Sequence, residues 1–188
     1  MEGLERQLER LEQEAGEEYL PIVGLAVGEF LASLVKERQP HLVLEIGVMT
    51  GYATLHLARH LPSGGRIIGL EISAHLADRA KQNVRAVGLE DRVDIRRGDA
   101  RELLEEVPSP LDFVLLDAEK TMALNYLRRL RGKLADGAVV VAVVPPGQER
   151  FLSPYLAAVR DDGHFQTRRQ VFGETAVEVS EYKPVAGG

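Results

Sequence analysis

Five short apolar runs, each separated from the next by a helical stretch, constrain this chain more than any other feature. They fall at residues 42–46, 66–72, 93–97, 111–116 and 138–144. Near-continuous runs of valine, isoleucine and leucine of this length mark strands buried on both faces. The third run alternates apolar and charged residues, so it should be less covered. Between the runs, residues 52–60, 74–87, 100–106 and 121–134 read as helices. Strand–helix alternation of this kind gives an α/β fold with a parallel sheet and right-handed crossovers. Two more helices precede the first run. Residues 2–19 carry Leu4, Leu8, Leu11 and Ala15 on one face, which suits packing on the domain edge or a dimer or lid helix. The second runs from about residue 22 to 37 and ends before Pro40. After the last run, residues 151–160 read as a helix. Residues 165–172 and 175–182, joined at Gly173-Glu174, read as a hairpin. The final strand should therefore run antiparallel at one side of the sheet, with residues 185–188 as a loose tail.

The 188 residues suit a single domain. Residues 1–38 would form its N-terminal helices and 39–184 its core. Cysteine is absent, which excludes disulfides, thiolate metal sites, iron–sulfur clusters and cysteine nucleophiles. There are 23 basic and 29 acidic residues, a net charge of −6. That balance argues against a nucleic-acid partner. The longest apolar run is about a third of a membrane span, and residues 1–18 are too charged for a secretory signal. The expectation is a cytoplasmic protein with no membrane partner.

In open α/β sheets, ligands bind beyond the carboxyl ends of the strands. The first four runs end on Glu45, Glu71, Gly98-Asp99 and Asp117. Any one of these carboxylates could simply cap the next helix. Four gathered at one rim are costly unless a ligand or hydrogen bonds compensate. The loop after the first run contains Gly47, Val48, Met49 and Gly51, which allow a tight strand-to-helix turn and expose N–H groups to an anionic ligand group. Glu71 lies 20 residues beyond Gly51, the usual interval for a carboxylate that holds a ribose diol. A pyrophosphate would be repelled at such a rim. A nucleoside bearing a positive charge would not, and S-adenosylmethionine fits. A nicotinamide dehydrogenase fits poorly, because the glycine fingerprint is incomplete and no Tyr-x-x-x-Lys dyad is present. His56 and His60, four apart on one helix, are expected on a solvated surface. Arg128, Arg129, Arg131 and Lys133 are expected on an outer helix face. Tyr52 and Tyr126 suit the core or the rim as well as they suit substrate contacts.

The stretches VLEIGVMTGYATLHLA, IIGLEIS, GLEDRVDIRRGDA and LDFVLLDAEK resemble class I S-adenosylmethionine-dependent methyltransferases, and more narrowly the catechol and caffeoyl-CoA type O-methyltransferases. The resemblance spans roughly residues 21–182. It implies a Rossmann-like, doubly wound, seven-stranded sheet in which the last, inserted strand is antiparallel. It implies that Glu45, Gly47, Val48, Met49, Gly51 and Tyr52 surround the methionine part of the cofactor. Glu71 would take the ribose hydroxyls and Ile72 the adenine face. Gly98, Asp99 and Ala100 would sit at the adenine edge, with Asp117 beside the reacting end. The serine that such enzymes place after the Gly-Tyr pair is replaced by Ala53, with Thr54 next to it.

Such enzymes hold a divalent cation through an aspartate after the fourth strand and an Asp-Asn pair after the fifth. Asp117 matches the first position. The pair falls within Ala142-Val143-Val144, which offers no oxygen ligand for a hard cation, and Glu119 sits beside Asp117 rather than across from it. The expectation is that no divalent metal is used. Lys120 matches the family's general base. A free lysine, with pKa ~10.4, is a poor base at neutral pH, and Lys120 could instead only pair with Asp117 or Glu119. Relatives carry a longer substrate-covering insertion where this chain has only residues 145–150. The expected activity is methyl transfer to a hydroxyl of a small molecule, releasing S-adenosylhomocysteine, with Asp117 and Lys120 as catalytic residues. Alternatives are a cofactor-binding protein that has lost catalysis, or a methyltransferase acting on RNA or protein. The missing Pro-Pro motif after the fourth strand weighs against RNA. The resemblance also implies a homodimer.

Overall fold

The computed structural model describes residues 2–184. The tail expected at 185–188 lies outside them. The helices are α1 (Glu2–Glu18), α2 (Leu25–Arg38), α3 (Tyr52–Ala58), α4 (Ala74–Ala86), α5 (Ala100–Leu103), α6 (Ala123–Leu130) and α7 (Glu149–Asp161). The strands are β1 (Leu42–Ile46), β2 (Arg66–Glu71), β3 (Val93–Arg97), β4 (Leu111–Leu116), β5 (Leu134–Val144), β6 (Phe165–Phe172) and β7 (Thr175–Tyr182). They form one seven-stranded sheet in the order β3-β2-β1-β4-β5-β7-β6. The first five are parallel, and β7 is antiparallel to both β5 and β6. The final strand is therefore inserted, with its hairpin partner β6 on the outside edge.

Alternation along the strands builds two cores. Phe113 and Leu115 of β4 join Val43, Val141 and the apolar faces of α1–α4. Val114 and Leu116 join Leu44, Val140 and residues of α5–α7. Truncating Phe113, which is fully buried, to alanine should cost about 3–5 kcal/mol. The edge strand β3 alternates buried and exposed residues, as its pattern required.

Several boundaries differ from the sequence reading. α2 begins at Leu25, because Gly24 takes φ +76° and residues 21–23 stay outside the helix. The predicted helix at 121–134 divides into a 3-10 turn (Lys120–Met122), α6 and a second 3-10 turn (Arg131–Lys133). β5 starts four residues earlier than the apolar run and shifts register against β4 between Leu111 and Phe113.

α1 packs on the domain edge. It buries Leu8, Leu11 and Ala15, Gln7 donates to Asn83 of α4 at 2.9 Å, and Arg79 pairs with Glu14 and Glu18. α3 lies beneath α1 and α2, and all seven of its residues are buried. This overturns the expectation for His56, whose side chain is fully buried rather than solvated. Its ring abuts Gly28 so closely that a Cβ there would come within 2.5 Å of it. Burial pushes its pKa down, which keeps the imidazole neutral. His60 is half-buried. Arg128 and Arg129 are exposed as expected, whereas Arg131 and Lys133 are half-buried.

Candidate functional site

The carboxyl ends of β1, β2 and β4 open onto a cavity of about 300 Å³. Its shape depends on the loop after β1. Gly47 takes φ +92°, and a Cβ there would lie 2.7 Å from the Asp117 carbonyl oxygen, so only glycine lets the β1 and β4 loops approach. Met49 takes φ +52°, an uncommon conformation for a side-chain-bearing residue. Its N–H donates to Glu71 Oε2 at 2.8 Å, and Ser73 N–H donates to Glu71 Oε1 at 2.9 Å. Glu71 is thereby fixed at the cavity wall. Each of its oxygens keeps a lone pair for a further donor.

Of the residues singled out from the sequence, Gly47, Met49, Glu71, Ile72, Gly98, Asp99, Ala100 and Asp117 line this cavity. Asp99 also caps α5, accepting from Arg101 N–H at 2.8 Å, and the Arg101 side chain holds its carboxyl below the usual range. Val48 and Tyr52 line a second, smaller cavity together with Gly47, Met49, Asp117, Ala53 and residues 21–23. Gly47, Met49 and Asp117 are thus shared by the two spaces. Gly51 lines neither. It takes φ +89° and precedes α3.

Glu45 lies beneath the rim rather than on it. Alternation along β1 turns it toward α3, where Thr54 Oγ1 donates to Glu45 Oε2 at 2.5 Å. Its Oε1 has no partner among the described residues. Burial pushes the carboxyl up to about 8, against the pull of the Thr54 bond and with help from the charges of Asp117 and Glu71.

Sequence reading passed over Leu76 of α4 as a wall of the large cavity and residues 21–23 as a wall of the small one. Leu76 carries no signal beyond helical spacing. The sequence pattern places residues 22 and 23 in the second helix and gives no sign of this wall. Tyr126 proves to be a wall residue as well.

Lys120 is buried on the 3-10 turn after β4. Its Nζ donates to Asp117 Oδ1 at 2.7 Å. Burial pushes the Asp117 carboxyl up and the Lys120 charge opposes this. Across the sheet, Leu116 is in register with Ala142, so Val143 and Val144 continue beside Asp117. Both are buried. Among the described residues, no group of three or more His, Asp or Glu side chains is arranged to hold a metal ion. The donor set at the ends of β4 and β5 does not fit a hard cation, which wants six or more oxygens. A nucleoside with a diol and an apolar base does fit. Glu71 offers free lone pairs, Ile72 and Leu76 offer apolar surface, and the Gly47 approach admits no side chain.

A family model described as O-methyltransferase matches residues 3–143. The chain is 34% identical over 153 residues to catechol O-methyltransferase of Mus musculus, covering 77% of this chain and 56% of that protein. It is 35% identical over 119 residues to catechol O-methyltransferase of Niastella koreensis, covering 61% and 54%. The chain spans about half the length of these curated relatives. Among solved structures, an O-methyltransferase from Bacillus cereus in complex with SAH superposes with a TM-score of 0.83 at 26% identity, covering 94% of this chain and 90% of that one. A putative O-methyltransferase from Klebsiella pneumoniae gives 0.82 at 28%, covering 97% and 90%.

Proposed function

We infer that this chain, which belongs to the O-methyltransferase family, transfers a methyl group from S-adenosylmethionine to a hydroxyl of a small molecule and releases S-adenosylhomocysteine. The observation that carries this reading is how Glu71 is held. Two backbone N–H groups fix its carboxylate at the cavity wall, and its remaining lone pairs suit the two hydroxyls of a ribose. The Bacillus cereus relative, bound to SAH, supports the same cofactor class. Ile72 and Leu76 would flank the base, with Asp99 and Ala100 at its edge. Glu45 would lie under the methionine part. When bound, S-adenosylmethionine supplies an electrophilic methyl group, and Asp117, held by Lys120 at 2.7 Å, borders the cavity where an acceptor would meet it. Calorimetry tests the reading. The wild type should bind S-adenosylmethionine, and Glu71→Ala should weaken binding by about 10- to 100-fold, as for loss of a charged hydrogen-bond acceptor. No binding, or no effect of the substitution, would overturn it.

We further propose that transfer needs no divalent metal, because Val143 and Val144 stand where oxygen donors would be required. Turnover should survive a chelator, and dependence on added magnesium would contradict this. The same valines favour one competing reading, a cofactor-binding protein without turnover. A screen of hydroxylated acceptors with labelled cofactor separates the two, since turnover abolished by Lys120→Ala excludes it. Action on RNA or protein has no comparable support in an acidic chain.

A homodimer in the cytoplasm completes the proposal. α1 has already buried its apolar stripe, so exposed Leu25, beside Phe172, is the candidate contact. Light scattering at micromolar concentration should give twice the chain mass, and cell fractionation should recover the protein with the soluble cytoplasmic contents. No helix among the described residues is long and apolar enough to cross a membrane.

A further inference from the structure

S-adenosylmethionine carries three charged groups: a sulfonium, an ammonium and a carboxylate. The two cavities treat them unequally. Glu71, Asp99, Asp117 and Glu119 line the large cavity, and Asp117 lines the small one as well. Among the described residues, no lysine, arginine or histidine lines either. The cations nearest in the chain are already engaged. Lys120 donates to Asp117 at 2.7 Å, and Arg101 is paired with Asp99. Glu71 and Glu119 accept only from neutral donors. These are Met49 and Ser73 N–H for Glu71, and the N–H and hydroxyl of Thr121 for Glu119. Wherever the tail of the ligand lies, its positive groups meet carboxylates and its own carboxylate meets no basic wall residue. Charges in a partly enclosed site are screened less than charges on an open surface, so this imbalance weighs on binding.

Neutral donors do little to offset it. The N–H groups of Gly47, Gly51 and Asp117 are taken by the carbonyls of Leu70, Val48 and Ile46. Met49 N–H is held by Glu71, and the Tyr52 hydroxyl is bonded to Glu12. What remains is the first turn of α3, whose N–H groups have no partner within the helix. The side chain there is Ala53, a wall of the small cavity that offers no polar atom. We propose that these cavities recognise an adenosyl sulfonium by its nucleoside and its positive charges without reading the carboxylate. Decarboxylated S-adenosylmethionine, an aminopropyl sulfonium with two positive charges and no negative one, is then a ligand at least equal to S-adenosylmethionine. Ala53 is the position that sets this tolerance, because a hydroxyl there would give the carboxylate a donor that the present wall lacks. This rests on the cofactor reading above and deepens it by naming a second ligand class for the same site.

Calorimetry on the whole chain at pH 7 compares the two ligands directly. The decarboxylated compound should bind within about 3-fold of S-adenosylmethionine or more tightly. Ala53→Ser places a hydroxyl donor on the wall of the small cavity. It should tighten S-adenosylmethionine by about 3- to 10-fold, the worth of one hydrogen bond, and leave the decarboxylated ligand unchanged. Binding of the decarboxylated compound about 10-fold or more weaker than that of S-adenosylmethionine would overturn the proposal and leave the methyltransferase reading in place. Equal tightening of both ligands by Ala53→Ser, or none of either, would overturn the role given to Ala53. Binding of neither ligand by the wild type would overturn the methyltransferase reading and this proposal together.

Discussion

Thr54 of α3 donates to Glu45 of β1 at 2.5 Å, and the other Glu45 oxygen has no partner among the described residues. A single neutral donor does not compensate a buried carboxylate, so burial and the nearby charges of Asp117 and Glu71 push Glu45 up to about 8. At pH 7 the free protein therefore holds a proton there. A cation placed over the rim favours the ionised form. Binding of S-adenosylmethionine at pH 7 should accordingly release up to one proton. Calorimetry in two buffers of different ionisation enthalpy measures this, and Glu45→Gln should abolish the release.

The same residue predicts how stability varies with pH. The carboxyl ionises near 4.5 in the unfolded chain and near 8 in the fold. Between those values the folded state holds a proton that the unfolded chain has lost, so stability falls as pH rises through this window. Below the window Glu45 imposes no penalty, and above it the loss is complete. Urea denaturation at pH 5 and pH 8.5 should show a smaller decline for Glu45→Gln than for the wild type.

Much of this was legible in the sequence where a local rule decides. The strand ends, the glycine loop and the carboxylate at Glu71 follow from period and spacing. Residues such as Val143 carried their message through identity alone, because a valine cannot ligate a cation wherever it points. What stayed hidden was orientation across layers. Glu45 closes an apolar run just as Glu71 does, yet alternation along β1 turns it under α3 instead of onto the rim. His56 and His60, four apart on one helix, looked like a surface pair, and only the packing of α1 and α2 over α3 shows that this helix has no solvated face. The wall at 21–23 could not be read, since a short non-helical segment acquires a role only from what folds against it.

Gly28 and His56 give a sharper test of that buried layer. A methyl group at Gly28 would sit 2.5 Å from the imidazole, closer than any packed contact allows, and the ring is fully buried. Gly28→Ala should lower stability by about 1–3 kcal/mol, the usual cost of overpacking a filled core. Thermal denaturation checks it. A further replacement of His56 by alanine in the same chain should recover part of the loss, because the added methyl then has a cavity to enter.

Asn83 connects the N-terminal helix to the cofactor loop. Its Oδ1 accepts from Gln7 at 2.9 Å and from Arg10 at 3.1 Å, and its Nδ2 donates to the Thr50 carbonyl at 2.8 Å. Thr50 lies between Met49, held at φ +52°, and Gly51 at φ +89°. The amide thus braces a strained turn from behind. Asn83→Ala would leave the Gln7 amide and the Thr50 carbonyl without their partner in a buried layer, which should cost about 1–3 kcal/mol of stability. If the bracing also sets the loop, the Met49 N–H should hold Glu71 less firmly, and affinity for S-adenosylmethionine should drop several-fold although Asn83 lines neither cavity. Denaturation and calorimetry on one variant read the two effects separately. A stability loss with unchanged affinity would confine Asn83 to anchoring α1.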